Sequence, residues 1–450
     1  MLDIVDVLNR KSVKSLQHIL NGISLEDFQT VDLTASLLYK KNIIGHETGM
    51  GKTFIASAYM KALHNENKSR KFLMVVKTNQ LNETPQKVEQ STGLRVCAVS
   101  SAYSSISRHI LSEDFIKSDI VIIAAEMLNN TSAFAMLYKH RKLFTGLIVD
   151  EAHEFTNVDG CVRAFRIDCM TKHIEYLMLM TATPMTTKLE QFTTLVHYTD
   201  RREFWNTESL LRGLKKPQYN FQEDNPGVYI RRTRKDLGIG NNYNTKSLYV
   251  EPTPEQEFIQ GKDFRIASKG FGAYPQVNKL IEVIKEERPK KGIVYIRHHA
   301  VRRFVEENLR QAGIRYACIN GLTTMSTRKE ISKKFYDNEY DVVLTSVTTS
   351  IDLDCDYIFF YEFTSDARQV IGRGERGLIP KTLNIYFLFT LHPREITSFI
   401  KNVYERSLII QEVLGNDYKE LIAVGQELMI KYGNLIEEDE DEDGYEDDRG

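Results

Sequence analysis

The run Gly45-His46-Glu47-Thr48-Gly49-Met50-Gly51-Lys52-Thr53 follows the apolar stretch NIIG (42–45) and precedes a helix-like stretch at 52–63. A glycine-rich turn between a strand and a helix lets backbone N–H groups close on phosphate oxygens, and the helix N-terminus adds its dipole. In this pattern His46, Glu47, Thr48, Gly49, Met50 and Gly51 wrap the phosphates. Lys52 brings positive charge to them, and Thr53 offers a hydroxyl to Mg2+. His46 stands at the first position of the strict spacing, where glycine is usual. The competing reading is a plain glycine-rich turn.

Three further groups fit the same chemistry. VDEAH (149–153) ends the apolar run GLIVD, 98 residues beyond Lys52. There Asp150 is placed to hold Mg2+ and Glu151 to orient or deprotonate an attacking water. TATP (181–184) follows YLMLM, so Thr181 and Thr183 sit where they could bridge Glu151 and His153 to other parts of the chain. The bland alternative is a helix cap followed by proline. QVIGRGERG (369–377) contains Gln369, Arg373 and Arg376 in a Q-x-x-G-R-x-x-R spacing. Arginines three apart share a helical face and can meet a γ-phosphate. The same segment spells G-x-G-x-x-G at Gly372, Gly374 and Gly377, but a dinucleotide site needs a strand before it and a helix after it, and the pattern here is the reverse. His298 and His299 read as helix-start residues.

The elements needed to position these groups are legible as two blocks of alternating strands and helices. The first has apolar runs at 42–45, 71–76, 95–99, 119–124, 146–150 and 176–181, with helical stretches such as 52–63 and 159–173. The second has runs at 292–296, 315–319, 341–346, 357–362 and 384–389, with helical patterns at 299–311 and 326–337. Continuous apolar strands with helical crossovers predict parallel sheets covered on both faces, hence two α/β domains. Between them, at about 205–260, periodicity fails and polar sequence predicts a linker or insertion.

The net charge of −2 conceals an asymmetry. Residues 437–450, EEDEDEDGYEDDRG, carry −9, which leaves +7 on the other 436 residues. The tail is expected to be disordered, either a solubilising end or a mimic of nucleic acid that competes for the protein's own phosphate-binding track or docks a basic partner. A basic body fits a phosphate backbone as partner. Five scattered cysteines without a C-x-x-C pair predict free thiols in a reducing compartment. No apolar run approaches the ~18 residues of a membrane span, and no secretory signal is expected.

In this order, GMGKT, DEAH, TATP and Q-x-x-G-R-x-x-R resemble the motifs of superfamily 2 helicases and translocases, over about residues 24–415. The resemblance implies two RecA-like parallel-sheet lobes with an ATP cleft between them, and ATP and Mg2+ as cofactors. The implied organisation is an N-terminal extension (1–23), lobe 1 (24–204), a linker or insertion (205–260), lobe 2 (261–436) and the acidic tail (437–450). Phe28–Gln29 resembles the family's adenine-contacting element. VVKTNQL (75–81) resembles the strand-end motif that touches DNA backbone, which nominates Lys77 and Thr78. ING (319–321) and LTSVTTSIDLD (344–354) resemble second-lobe motifs. They nominate Thr345 and Ser346 for DNA and Asp352 for ATP, with Ser350 where the family has glycine.

DEAD-box and long DEAH RNA helicases fit less well, the first for want of their P-T-R-E-L-A motif and the second for want of length. The better resemblance is to Swi/Snf-like motors and phage-encoded branch-migration helicases. The segment VYIRRTRKDL…TKSLYVEPTPEQEFI (228–259) is similar to a remodeller segment with paired arginines. Arg231 and Arg232 are open to three readings: DNA, γ-phosphate or a salt bridge between the lobes. The expected activity is ATP-driven tracking on duplex or branched DNA by a cytoplasmic monomer, in a host cell if phage-encoded. Its uses would be Holliday-junction branch migration, fork regression, recombination and repair. The alternatives are an RNA-dependent ATPase and a duplex translocase that displaces proteins without unwinding. A wedge is sought in GKDFRIASKGFGAYPQ (261–276), against the plainer reading of aromatics packed on the second lobe.

Overall fold

The computed structural model describes residues 23–99, 112–158, 160–185, 189–199, 208, 212–213, 221, 227–240, 242–257, 269–270, 272–346, 353–364, 367–374, 381–414 and 418–436. The chain divides into two compact units. One is residues 1–240 with 378–380 and 410–416, and the other is residues 241–377 with 381–409 and 417–450.

The first unit runs α1 (Asp27–Tyr39), β1 (Lys41–Ile44), α2 (Lys52–Glu66), β2 (Phe72–Val76), α3 (Thr84–Thr92), β3 (Val96–Val99), α4 (Glu113–Lys117), β4 (Ile120–Ala124), α5 (Thr131–Lys139), β5 (Gly146–Val149), α6 (Val162–Thr171), β6 (Tyr176–Met180), α7 (Leu189–Thr199) and β7 (Tyr229–Ile230). Its strands form one parallel sheet in the order β3-β4-β2-β5-β6-β1-β7. FLMVV, IVIIA and YLMLM are buried at every position, because helices cover both faces of a parallel sheet. One face packs Ile44, Met74, Ile122, Ile148 and Met178 against Ile55, Tyr59, Met60 and Leu63 of α2.

The second unit runs β8 (Asn242–Val250), α8 (Pro254–Glu257), α9 (Tyr274–Glu287), β9 (Gly292–Tyr295), α10 (His299–Gln311), β10 (Tyr316–Ile319), α11 (Met325–Tyr336), β11 (Val342–Thr345), β12 (Tyr357–Phe360), α12 (Ala367–Arg373), β13 (Thr382–Thr390), α13 (Pro393–Phe399) and α14 (Lys419–Tyr432). Its parallel sheet is ordered β10-β11-β9-β12-β13-β8. Val294, Leu344 and Phe359 meet Val283 and Ile284 of α9 and Val301 and Val305 of α10 in its core.

Two parallel-sheet α/β lobes are thus present, and the expected apolar runs are strands to within one or two residues. The segment 205–260 departs from the linker expectation. Within it, Tyr229–Ile230 pairs with β1, and Asn242–Val250 pairs along its full length with β13. These edge strands escape an apolar-run criterion because β7 is two residues long and β8 alternates exposed with half-buried positions through Asn242, Asn244 and Lys246. Residues 1–22 and the acidic tail lie outside the described residues. Among the described residues, no helix is long and apolar enough to cross a membrane.

Candidate active site

Because all strands of the first sheet are parallel, their carboxyl ends share one edge, where open α/β sheets bind ligands. The loop after β1 carries His46 through Gly51, and α2 begins at Lys52. Gly49 and Gly51 have φ of +83° and +76°, left-handed values that side-chain-bearing residues adopt only at a cost. The Gly51 carbonyl accepts from the N–H groups of Phe54 and Ile55, which fixes the start of α2. Lys52 Nζ donates to the carbonyls of His46 (2.8 Å) and Glu47 (3.2 Å), so the ammonium lies over the loop. Thr53 follows in the first turn.

Gln29 on α1 braces this loop. Its Nε2 donates to the Met50 carbonyl at 3.3 Å, and its Oε1 accepts from Glu26 N–H at 3.1 Å. A Cβ on Gly51 would come within 2.5 Å of that Nε2.

Asp150 and Glu151 follow β5. Asp150 Oδ2 accepts from Gln80 Nε2 at 3.0 Å, and Oδ1 accepts from Glu151 N–H at 3.0 Å. Burial, and next the neighbouring Glu151 charge, push the Asp150 carboxyl up to about 6, while Lys52 and Gln80 pull the other way. A carboxylate so placed favours a cation beside it. The Asp150 carboxylate and the Thr53 hydroxyl are oxygen donors that fit Mg2+, which is held by one or two carboxylates plus substrate phosphates, and the Lys52 charge is left for those phosphates. Among the described residues, no group of three or more His, Cys, Asp or Glu could hold a metal by protein ligands alone. Glu151 is held at φ +49°, ψ 48°, a left-handed conformation unusual for a residue with a Cβ.

TATP meets the DEAH run directly. His153 Nδ1 lies 2.9 Å from Thr181 Oγ1 and 3.5 Å from Glu151 Oε2. Thr181 Oγ1 also accepts from the Thr183 N–H at 3.1 Å. Thr181 is fully buried, so the link is shielded from water.

The strand-end residues nominated for DNA are engaged within the unit. Lys77 Nζ pairs with Glu154 Oε1 at 2.7 Å, and the Thr78 hydroxyl donates to Glu126. In the second unit, Thr345 ends β11 and is buried, with Ser346 just beyond it, N–H bonded to the Ile319 carbonyl. Gln369 lies in α12, and that helix ends at Arg373. Arg376 and Asp352 lie outside the described residues, so the shared helical face expected for the two arginines is described only to Arg373. His298 does begin a helix, as expected, and also pairs with the buried Glu362, which accepts from the backbone N–H groups of Arg297 and His298. Of the sought wedge, residues 261–268 and Phe271 lie outside the described residues. Lys269 is buried, ion-paired to Glu395 at 2.9 Å and bonded to the Leu388 carbonyl, while Tyr274 packs edge-on against Phe304. Lys269 follows the packing alternative, while Tyr274 stays 52% exposed beside Phe304.

Sequence reasoning missed Asp32, Gln80 and Glu154. Asp32 had one available signal: it follows Gln29 by three and precedes Ser36 by four, a buried polar face on a helix. Gln80 and Glu154 announce themselves only through contacts.

Two family models match the chain. Residues 12–186 match that of the type III restriction enzyme res subunit, and residues 275–377 match the helicase conserved C-terminal domain. No curated protein sequence matches it. Among solved structures, the Sulfolobus solfataricus SWI2/SNF2 ATPase core in complex with dsDNA aligns at 14% identity, over 93% of this chain and 98% of that one, with a TM-score of 0.42. The order of the two matched models, each lying on its own parallel-sheet lobe, makes the chain a superfamily 2 helicase/translocase, an enzyme that hydrolyses nucleoside triphosphate.

Proposed function

We propose that this enzyme is an ATP-dependent DNA translocase that works on branched duplex DNA, with Holliday-junction migration and fork regression as its uses. The observation that carries the ATPase part is the convergence, on one sheet edge, of the Lys52 loop, the Asp150–Glu151 pair and the His153–Thr181 contact. The +7 charge outside the acidic tail supports a phosphate-backbone track, which is sequence-independent and salt-sensitive.

In this reading Lys52 exchanges its carbonyl partners for phosphate oxygens, and the amides at Gly49 and Gly51 close on the same phosphates. Asp150 and Thr53 are the residues that would hold Mg2+, which when bound supplies positive charge to those oxygens. Glu151 orients the attacking water. Gln369, Arg373 and Arg376 of the second unit take the arginine-finger part, and Asp352 contributes to ATP binding. Thr181 and Thr183, through His153, relay the state of Glu151 to the rest of the lobe. Lys77, Thr78, Thr345 and Ser346 lie along the DNA track. Lys77 would have to leave Glu154 to reach a phosphate, so nucleic-acid binding and the loop after β5 are coupled in this reading.

The test is ATP hydrolysis by the full chain with single-stranded DNA, duplex, a four-way junction and RNA. Strongest stimulation by the junction, with strand exchange, supports the reading. Stimulation by RNA alone overturns it, and stimulation by duplex without unwinding reduces it to protein displacement. Lys52→Ala should abolish turnover while nucleic-acid binding persists.

A further inference from the structure

The segment that leaves β7 runs back across the phosphate loop. The Gly45 N–H donates to the Ile230 carbonyl at 2.8 Å, and the Glu47 N–H to the Arg232 carbonyl at 3.2 Å. In return the Arg234 N–H donates to Glu47 Oε2 at 2.7 Å, and the Arg231 guanidinium donates to the Gly45 carbonyl. Tyr229 packs so close to Gly45 that a Cβ there would come within 2.3 Å of its ring. Arg232 reaches further. Its Nε and Nη2 hold both oxygens of Asp32, with Nη2–Oδ1 at 2.9 Å, and Asp32 Oδ2 lies 3.1 Å from His46 Nε2. Asp32 and His46 are essentially inaccessible to water. The loop's first residue is therefore tied, through a buried carboxylate, to an arginine 186 residues further along the chain.

We infer that Arg231 and Arg232 are positioning residues of the ATPase site, with Asp32 as the relay: they fix Gly45–Glu47 so that the loop meets phosphates in one conformation. This rests on the phosphate-loop reading of residues 45–53. Histidine in place of the usual first glycine narrows the backbone choices of the turn, its φ stays outside the left-handed region, and its buried ring meets Asp32. Both oxygens of Asp32 are occupied, and the Arg232 side chain, 34% exposed, is engaged through Nε and Nη2 within its own unit. Burial also disfavours the charged form of His46, so His46 adds no charge of its own beside Lys52.

The test uses Arg232→Ala, Arg232→Lys and Asp32→Asn in the full chain. Folding is checked by circular dichroism, and three quantities are read: the KM for ATP, kcat, and nucleic-acid affinity without nucleotide. A loop that must be ordered on binding takes ATP more weakly than a preorganised one, so Arg232→Ala should raise KM about ten-fold, or about 1.4 kcal/mol. Arg232→Lys should fall between it and wild type, because a point charge replaces a two-pronged contact. Nucleic-acid affinity should hold. A fall in nucleic-acid affinity without nucleotide would assign Arg232 to the track and overturn the inference. A fall in kcat at unchanged KM would overturn it too, since a γ-phosphate contact or a smaller folded fraction gives that pattern. Unchanged KM in all three folded variants would also refute it. Lys52→Ala is the control: if that variant still turns over, the phosphate-loop reading itself has failed, whatever Arg232 does.

Discussion

Replacing Gly51 with alanine tests the geometry of the phosphate loop most directly. Gly51 sits at φ +76°, where a residue with a Cβ costs about 1–2 kcal/mol. The new Cβ would also lie 2.5 Å from Gln29 Nε2, so Gln29 must swing away and give up its bond to the Met50 carbonyl. A lost hydrogen bond of this kind costs about 0.5–1.5 kcal/mol. The sum is about 1.5–3.5 kcal/mol, which for a unit of this size lowers Tm by about 3–14 °C. If the chain relieves the strain by taking a negative φ, the bonds from Phe54 and Ile55 N–H to the Gly51 carbonyl shift. Lys52 and Thr53 then move with the start of α2, and KM for ATP rises. The assay is thermal unfolding without nucleotide, followed by steady-state ATPase. In a Gln29→Ala background the same substitution should cost only the backbone share, because the clash is gone. A Gly51→Ala protein with wild-type Tm and KM would refute the reasoning, and an equal cost in both backgrounds would refute the clash.

Glu151→Gly should raise Tm slightly while turnover falls to background, since glycine accepts the left-handed conformation and Asp150 loses a like-charged neighbour; Glu151→Gln should lose turnover without that gain. Thr181→Val removes the oxygen that joins His153 to the Thr183 N–H, at about 0.5–1.5 kcal/mol for each bond lost. Strand displacement per ATP should drop more than ATPase, and a proportional loss of both would argue against a relay. For pH, burial opposes ionisation of Asp341, but the bonds from Arg315 and then Arg288 outweigh it and hold the carboxyl below its ordinary 3.8. A depressed value contributes stability that is present above pH 3.8 and is lost as pH falls through the folded value. Asp341→Asn should therefore be less stable at pH 7 and lose less on acidification. Parallel urea-midpoint curves from pH 7 to 3 would contradict this.

The chemistry-bearing runs were legible because each needs fixed residue types at fixed spacing on a strand end. Gly49, Gly51, Lys52 and Thr53 form one local turn, and Asp150 and Glu151 follow a four-residue apolar strand. Both sheets were legible for a related reason. A strand covered on both faces must be apolar throughout, as YLMLM and YIFF are. β7, only two residues long, and β8, with exposed polar residues on alternate positions, carry no such mark and read as linker. The paired arginines show the limit most clearly. Their types announce ion pairing, yet three partners were open from sequence, and only folding brings Arg232 to Asp32 on the first helix and Arg231 to Gly45. Contacts between residues nearly two hundred positions apart leave no local periodicity. Motif spacing alone determined which atoms could do the chemistry. The tertiary structure decided what holds them, because the partners of the Gly45 and Glu47 N–H groups are the carbonyls of Ile230 and Arg232, which only folding brings to the loop.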